Sequence, residues 1–398
     1  MNQETFVAVN RKWIVVLVVA FVFVYFFMRN LDREPKRHYC DFRVYHHTSL
    51  KFLAREDIYF RDTLEVTPFK YSPFFAFCFS PLGLLPIKVA DCLFFALNFI
   101  LTFILFRMAS DVTGSRRDRL LYGLGVLFLF QFIILDWDIG QVAILMCVLV
   151  LASLVSLSKG KNALAGAFLA AAILIKYTPA IFLPYFIVRR QFKAAAWTVV
   201  FVAIWLSIPA LAVGVQKEIT YISTWIPSIM ETSLDKRSYM DVKNQSLISM
   251  AIRFFSECGL SINIAYLTFQ QGKILGYALA AFLYSLTLIP SFGKPRDQRI
   301  DYALLFSFLP LFNPNGWELN FVALAVPCML LIGYLIEVKG KDLFVAGCVV
   351  TGFMATFLIN RDIVGNRTQF FAELFSNVTI GTLLLVVALL KLKFVGKR

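Results

Sequence analysis

Asp41 is the residue of this sequence that is best placed to do chemistry. It lies in a polar stretch, Arg29–Tyr71, that follows the first apolar segment, and nearly all of the later chain is apolar. About forty polar residues are more than a simple connection between two apolar segments needs. A carboxylate in such a stretch can accept a proton from a hydroxyl group as a general base. We therefore predict Asp41 as the catalytic residue, although a carboxylate in a polar loop can also be merely solvated.

Further polar residues recur at the ends of apolar segments, where ionisable side chains are costly and therefore indicate function. Because many of them fall at the same end, we expect one shared cavity that binds a donor and an acceptor. The candidate binding residues are Arg43, Tyr45, His46, Tyr71, Gln141, Lys176, Tyr177, Asn244, Gln245, Trp317 and Glu318.

Some of these candidates also have a simpler interpretation. Lys176 ends the almost purely apolar run Ala163–Ile175, and lysine is a point charge that suits phosphate. Its long side chain could instead extend to the membrane interface. Asn244 and Gln245 precede Ser246, and these three residues could only cap the next helix.

Asp136 and Asp138 form a D-x-D pattern, which is typical of sites that hold a divalent cation and a nucleotide-sugar diphosphate. The pattern is short, and its expected position away from the cytoplasm disfavours a nucleotide. The pair could still bind a cation or orient a sugar, or Asp136 could cap a loop, and both interpretations stay open. His46 and His47 are adjacent and point to different sides of a helix, so they do not suit one metal ion. A divalent cation is the one cofactor left open, and no other metal site is expected.

The composition indicates an integral membrane protein. Of the 398 residues, 59% are hydrophobic and 16% charged, whereas soluble domains have roughly 45–50% and about 25%. The net charge of +14 would suggest nucleic acid as the partner of a soluble protein. Here Lys and Arg gather in short segments between apolar runs and set the orientation in the membrane, so no nucleic acid is expected. The seven cysteines show no metal-binding spacing, and no disulfide framework is expected.

The pattern of apolar runs predicts an all-α bundle of about 11–13 transmembrane spans in one domain over residues 1–398. The first span, Trp13–Met28, starts from a cytoplasmic N-terminus. Two external loops follow, over residues 29–72 and 214–246. Val44–Leu53 is expected to form a short helix on the membrane surface with Val44, Leu50 and Leu53 on its apolar side. Pro73–Pro86 is apolar and interrupted by prolines, so we expect a half-span that does not cross.

The ordered set of motifs resembles the integral membrane glycosyltransferases of the GT-C class, and within them glycosyltransferase family 87. That family includes mannosyltransferases similar to the enzyme that extends phosphatidylinositol mannosides. The motifs, in chain order, are D-F-R-V-Y from Asp41, A-R-E-D-I-Y from Ala54, F-K-Y-S-P from Phe69, S-P-L-G-L-L-P from Ser80, G-Q at Gly140, L-A-G-A from Leu164, I-K-Y-T-P from Ile175 and N-Q-S-L from Asn244.

The resemblance implies a polyprenyl-phosphate sugar donor, typically of mannose, and an acceptor hydroxyl on a lipid-linked glycan or glycolipid. It also implies inversion at the sugar in a single displacement, with Asp41 in the position of the family's general base. Membrane lipids are then partners as well. The basic inner loops fit a bacterial inner membrane with the active site on the periplasmic side.

One stretch departs from the family pattern. Where relatives often carry histidine, Asn313–Asn320 reads N-P-N-G-W-E-L-N and has none. The departure leaves the sugar and the acceptor open.

A transporter or flippase of a lipid-linked sugar is the main alternative. Broken helices and polar residues near the middle of the membrane are typical of that class. Here the polar candidates gather at one end of the spans and no inverted repeat is visible, which favours an enzyme.

Overall fold

The computed structural model describes residues 17, 19–29, 41–60, 69–115, 118–234, 236–257, 262–290 and 297–395. These residues are mainly helical, and their only β contacts are isolated bridges between Asn244 and Trp317 and between Ser256 and Leu267. The predicted all-α class is therefore confirmed. The start of the first predicted span at Trp13, and Cys40 and Cys258, lie outside the described residues.

Nineteen helices follow one another along the described ranges. They are α1 Val19–Arg29, α2 Asp41–Leu53, α3 Pro73–Gly83, α4 Ile87–Thr113, α5 Arg119–Ile139, α6 Ala143–Ser158, α7 Asn162–Ile175, α8 Phe182–Val188, α9 Phe192–Ser207, α10 Ala210–Val213, α11 Val215–Leu234, α12 Lys236–Met240, α13 Leu247–Phe255, α14 Phe269–Leu288, α15 Gln298–Leu311, α16 Ala325–Glu337, α17 Leu343–Phe353, α18 Arg361–Leu374 and α19 Asn377–Phe394. Short 3₁₀ turns cover Thr178–Ile181 and Glu318–Leu324, and a π-helical turn covers Met354–Leu358.

Five of the described helical stretches are long and apolar enough to cross a membrane, and a sixth is added if one bent pair of helices counts as a span. Several shorter apolar helices lie among them. The chain is thus a polytopic membrane protein, whereas the number of 11–13 spans stays a prediction. In the stretch Glu318–Glu337, 83% of the most apolar window is buried, against 17% in Phe192–Val213. The former is therefore the centre of the bundle, and α9 lies at its rim.

The proline-rich stretch before α4 forms the short helix α3. Ser72 caps its start by accepting a hydrogen bond from the backbone N–H of Phe75 at 3.3 Å. The helix has 11 residues, so it is about 16 Å long, roughly half of the hydrocarbon thickness. A new helix begins after Pro86. This length agrees with the predicted half-span.

Helix α2 carries Asp41 in its first turn and packs against α3. The predicted helix is present, and Leu50 and Leu53 are exposed on its surface, so their contact with the membrane stays a prediction. Buried instead are Phe42, Val44, Tyr45 and Phe52, because α2 rests on α3 and α4 rather than on the membrane surface alone.

The segment 214–246, predicted as a polar loop, is largely helical and consists of α11, α12 and short connections. Helix α11 folds back onto the polar stretch around α2. Tyr221 donates a hydrogen bond to the Glu56 carbonyl at 2.5 Å, and the Trp225 indole donates to the Lys70 carbonyl at 3.3 Å. These contacts bring the two predicted external loops together. Helix α18 was not predicted.

Candidate active site

A cavity of about 310 Å³ lies where α2, α11, the end of α7 and four interhelical segments meet. Its wall includes seven of the candidate residues, namely Asp41, Tyr45, Tyr71, Gln141, Lys176, Tyr177 and Trp317. Residues far apart in the sequence therefore share one site, as their common position at the ends of apolar segments predicted.

Helix α2 reaches the cavity because the turn between α5 and α6 is narrow. Gly140 ends α5 with φ +67°, a left-handed conformation that favours glycine. A Cβ atom added there would lie 2.6 Å from the Cβ of Phe42. Glycine thus allows the first turn of α2, and with it Asp41, to lie directly against the residue that follows, Gln141.

Gln141 is the centre of the polar network. Its Nε2 donates a hydrogen bond to Oδ2 of Asp41. Its Oε1 accepts from Nζ of Lys176 at 3.1 Å and from the backbone N–H of Val142 at 3.2 Å. With donors on one side and a carboxylate on the other, the amide has only one orientation that satisfies both ends.

Lys176 lies just after α7 and joins two walls of the cavity. Its ammonium group donates to Oε1 of Gln141 and, at 2.9 Å, to Oδ1 of Asn320. Both acceptors are neutral amides, and within the described part of the chain no carboxylate forms a salt bridge with Lys176. Its positive charge is thus available to an anion in the cavity.

The carboxyl of Asp41 is half-buried. Burial raises its pKa above the ordinary value of an aspartic acid, while the positive charge of Lys176 and the hydrogen bond from Gln141 oppose this rise. The net result is a carboxylate that is more basic than an exposed one. Such a group is better suited to accept a proton near neutral pH.

Two tyrosines support this network from the side of α2. The Tyr45 hydroxyl donates to the Tyr71 hydroxyl at 2.7 Å, and Tyr71 donates to Oε1 of Gln141 at 3.4 Å. The two rings meet edge to face, with centroids 5.0 Å apart. Tyr71 itself lines the cavity, so its hydroxyl lies at the boundary between the network and a ligand.

Asp136 and Asp138 do not converge on one point. Asp136 is fully buried, and its Oδ1 accepts a hydrogen bond from the backbone N–H of Ala143 at 3.2 Å, at the start of α6. Asp138 forms an ion pair with Arg29 at 2.7 Å. The geometry therefore favours the capping role that the sequence left open for Asp136. No group of three or more His, Cys, Asp and Glu side chains that could hold a metal ion occurs in the described ranges.

The other candidates lie outside the cavity lining, and their binding roles stay predictions. They are Arg43, His46, Asn244, Gln245 and Glu318. The His46 ring forms a hydrogen bond with the Leu85 carbonyl at 3.0 Å and so holds α2 to the end of α3.

Asn244 and Gln245 lie behind the wall that contains Trp317. The Asn244 amide donates to the Pro314 carbonyl at 2.6 Å, and the Gln245 amide donates to the Glu373 carbonyl at 3.0 Å. The next residue, Ser246, caps α13 by accepting from the backbone N–H of Ser249 at 3.1 Å. The capping interpretation of this motif is thus confirmed for Ser246.

Several lining residues were not among the predicted site residues, namely Lys70, Trp225 and Ile229. Asn313, Asn315 and Asn320 also line the cavity, and they belong to the stretch whose role the sequence left open. Lys70 stands beside Tyr71 in the F-K-Y-S-P motif, so its position could have indicated it. Trp225 and Ile229 lie on α11, and only the return of this helix to the site places them in the wall.

Comparison with known proteins gives one family. The sequence pattern described as Glycosyltransferase family 87 matches residues 69–314, which is more than half of the chain. No curated protein matches the chain. The matched region contains Tyr71, Gln141 and Lys176, whereas Asp41 precedes it and Trp317 follows it.

Proposed function

This chain belongs to glycosyltransferase family 87, and from that premise we propose that it moves a hexose, mannose, from a polyprenyl-phosphate donor to a hydroxyl group. The acceptor is a lipid-linked glycan or a glycolipid. The reaction takes place on the non-cytoplasmic side of the membrane, which in a bacterium is the periplasmic side of the inner membrane. The coarser conclusion, that the protein is a membrane-embedded glycosyltransferase, follows from the family and from the apolar helices.

The proposal rests above all on one observation. Asp41, with a raised pKa, and Lys176, with no salt bridge to a described carboxylate, line the same cavity and are joined by the Gln141 side chain. An inverting transfer needs one base for the acceptor hydroxyl and a cation for the departing phosphate. These two residues supply both.

In the proposed reaction the acceptor oxygen attacks the anomeric carbon from the side opposite to the phosphate. The new bond joins the acceptor oxygen to that carbon, and the bond between the carbon and the phosphate oxygen breaks. Asp41 accepts the proton of the acceptor hydroxyl while the acceptor oxygen forms its bond to the anomeric carbon. The polyprenyl phosphate leaves with the electron pair, and its negative charge is stabilised by Lys176. Atoms and charge balance without another reactant.

The apolar part of the cavity suits the lipid portion of the donor. Ile173, Leu174 and Ile175 come from the end of α7, and Trp225 and Ile229 come from α11. A largely apolar wall with a few polar groups is typical of sites that bind small molecules. An apolar wall also lowers the local polarity and so strengthens the electrostatic contribution of Lys176.

The test uses the full-length protein in nanodiscs, radiolabelled polyprenyl-phosphate mannose and a membrane lipid extract as the source of acceptors. We expect wild type to transfer label to a new lipid, and Asp41→Asn to transfer it about 10²–10⁴-fold more slowly. Asp57→Asn is the matched control, because Asp57 is an exposed carboxylate after the same helix, and its Oδ1 accepts from the backbone N–H of Tyr59 at 2.9 Å. Transfer by Asp41→Asn at the wild-type rate would exclude Asp41 as the base. If neither wild type nor the variants transfer label, the protein is reconstituted into liposomes. Movement of the lipid-linked sugar across the bilayer of these liposomes would then favour a flippase.

A further inference from the structure

We infer that the turn Asn313–Trp317 is the subsite for the sugar ring of the donor. In this subsite the amide groups of Asn313 and Asn315 bind hydroxyls of a hexopyranose, and the Trp317 indole packs against its C–H face. The inference rests on the proposed function, because its ligand is the glycosyl phosphate of that reaction. It assigns a role to the stretch that lacks the family's histidine.

The position of Lys176 determines where the sugar ring of the donor lies. The Lys176 ammonium lies between Gln141 on one wall and Asn320 on the other. In a glycosyl phosphate a single oxygen joins the phosphorus atom to the anomeric carbon. A phosphate against Lys176 therefore places the sugar ring beside the residues that flank this ammonium. Those residues are Asp41 with Gln141 on one side and the 313–320 segment on the other.

The amide groups of Asn313 and Asn315 have donors that no protein group uses within the described residues. Oδ1 of Asn313 accepts from the backbone N–H of Asn315 at 3.0 Å, and Oδ1 of Asn315 accepts from the Ser238 hydroxyl. Neither NH₂ group has a hydrogen-bond partner among the described residues, although both side chains line the cavity. Asn313 is only 7% exposed. Both amide nitrogens thus face the cavity with free donor capacity, so they are suited to acceptors that a ligand brings, such as sugar hydroxyls.

Trp317 supplies an aromatic ring beside these amides. Trp317 is 39% exposed and lines the same cavity. One face of a hexopyranose presents C–H bonds, and a large flat ring provides the apolar surface that matches this face. The two amides can bind the hydroxyl groups of the sugar, and the Trp317 indole can cover its C–H face.

Hydrogen bonds and close packing at Gly316 hold the turn Asn313–Trp317 in place. The backbone N–H of Gly316 donates to Oδ1 of Asn244 at 3.1 Å, and the Gly316 carbonyl accepts from the backbone N–H of Gln245 at 2.8 Å. A Cβ atom at Gly316 would lie 2.8 Å from the Cβ of Ser246. The turn is therefore held against the N-Q-S motif before any ligand arrives. A preformed subsite loses less entropy on binding.

The experiment measures binding rather than transfer. The full-length protein in nanodiscs is titrated with polyprenyl-phosphate mannose and, separately, with polyprenyl phosphate of the same chain length. We expect wild type to bind the mannosylated lipid more tightly. In Asn313→Ala and in Trp317→Ala this preference falls about tenfold, which corresponds to the loss of one or two ligand contacts, while the affinity for polyprenyl phosphate is kept. Trp317→Phe retains part of the preference, because a smaller ring still covers the sugar.

Lys176→Met is the contrasting variant, because it should weaken binding of both lipids. An unchanged preference in Asn313→Ala and Trp317→Ala would overturn the subsite. Unchanged affinity for polyprenyl phosphate shows that the variants are folded. Wild type could bind the mannosylated lipid preferentially and yet transfer no label. If Asn313→Ala and Trp317→Ala then lose this preference, the sugar subsite is supported and the proposed transfer reaction is overturned.

Discussion

The amide nitrogen of Gln141 donates a hydrogen bond to the carboxylate of Asp41. The oxygen of the same amide accepts from Lys176 at 3.1 Å, so one neutral side chain separates the carboxylate from the ammonium group. A direct ion pair would hold the base as a stable carboxylate with a lowered pKa. The neutral bridge keeps both charges in place while it leaves the base able to accept a proton and the cation able to meet a phosphate.

Replacement of Asp41 by asparagine should remove the base and keep the cavity. Asparagine has nearly the same shape, so donor affinity should change little, whereas kcat should fall by about 10²–10⁴-fold, the usual contribution of general base catalysis. The comparison is the initial rate of label transfer together with the Kd for the donor. A variant that loses donor binding and transfer to the same degree would point to a structural role for Asp41.

Gln141→Glu should move the pH dependence of the reaction. The new carboxylate beside Asp41 adds a like charge in a half-buried site, which raises the pKa of Asp41 further. Because the base acts in its deprotonated form, the rising limb of kcat/KM against pH should move to higher values by about one to two pH units. Gln141→Met, which removes the bridge without adding charge, is the control and should move the limb less. An unmoved limb in Gln141→Glu would show that Asp41 does not determine it.

Much of this architecture could be predicted because apolar runs and basic loops depend on local composition. The helix Val44–Leu53 and the short helix α3 follow from periodicity and from proline positions, whereas the extra first turn that carries Asp41 was not predicted. The same reasoning failed for the segment 214–246. Its polar residues suggested a loop, but α11 packs against α3 and bonds to the backbone of Glu56 and Lys70, and such tertiary contacts cannot be seen in one sequence.

The site was predicted in part for a related reason. Residues such as Asp41, Gln141 and Lys176 stand out because a polar group at the end of an apolar run is costly unless it has a polar partner or a ligand. Asn244 and Gln245 stand out for the same reason, but they support the wall from behind. Sequence position alone does not separate a polar residue that contacts a ligand from one that holds the backbone of its neighbour.

Lys176→Met should weaken donor binding and, because Lys176 stabilises the charge of the departing phosphate, should also lower kcat. The loss of one charged hydrogen-bond donor to a phosphate corresponds to roughly a 10- to 100-fold higher Kd. Lys193→Met is a matched control, because Lys193 is an exposed lysine in the first turn of α9 and lies outside the cavity lining. Equilibrium binding of polyprenyl-phosphate mannose in nanodiscs measures the effect. Equal affinities for the two variants would exclude a phosphate contact at Lys176.

Gly140→Ala should damage the site although the residue carries no functional group. The new methyl group would meet Phe42 at 2.6 Å, and φ +67° is unfavourable for alanine, so we expect a cost of about 1–3 kcal/mol and a displaced α2. Gly123→Ala on the same helix is the control. No atom lies within 4 Å of its added Cβ, and alanine there should stabilise by about 0.4–1 kcal/mol. Thermal unfolding in detergent and transfer rates should separate the two variants, and equal unfolding temperatures would contradict the close approach.

Asp301→Ala should destabilise the bundle at a point away from the cavity. Its carboxylate pairs with Arg189 at 2.7 Å and with Lys393 at 2.8 Å, and all three side chains are at most 6% exposed. Removal of the anion leaves two buried cations without this partner, which typically costs about 3–5 kcal/mol. Arg299→Ala is the control, since Arg299 is 51% exposed in its pair with Asp297 and such pairs contribute about 0–1 kcal/mol. We expect a much lower unfolding temperature for Asp301→Ala than for Arg299→Ala, with donor affinity per folded molecule unchanged in both. Similar unfolding temperatures would show that the buried cluster contributes no more to stability than a surface pair.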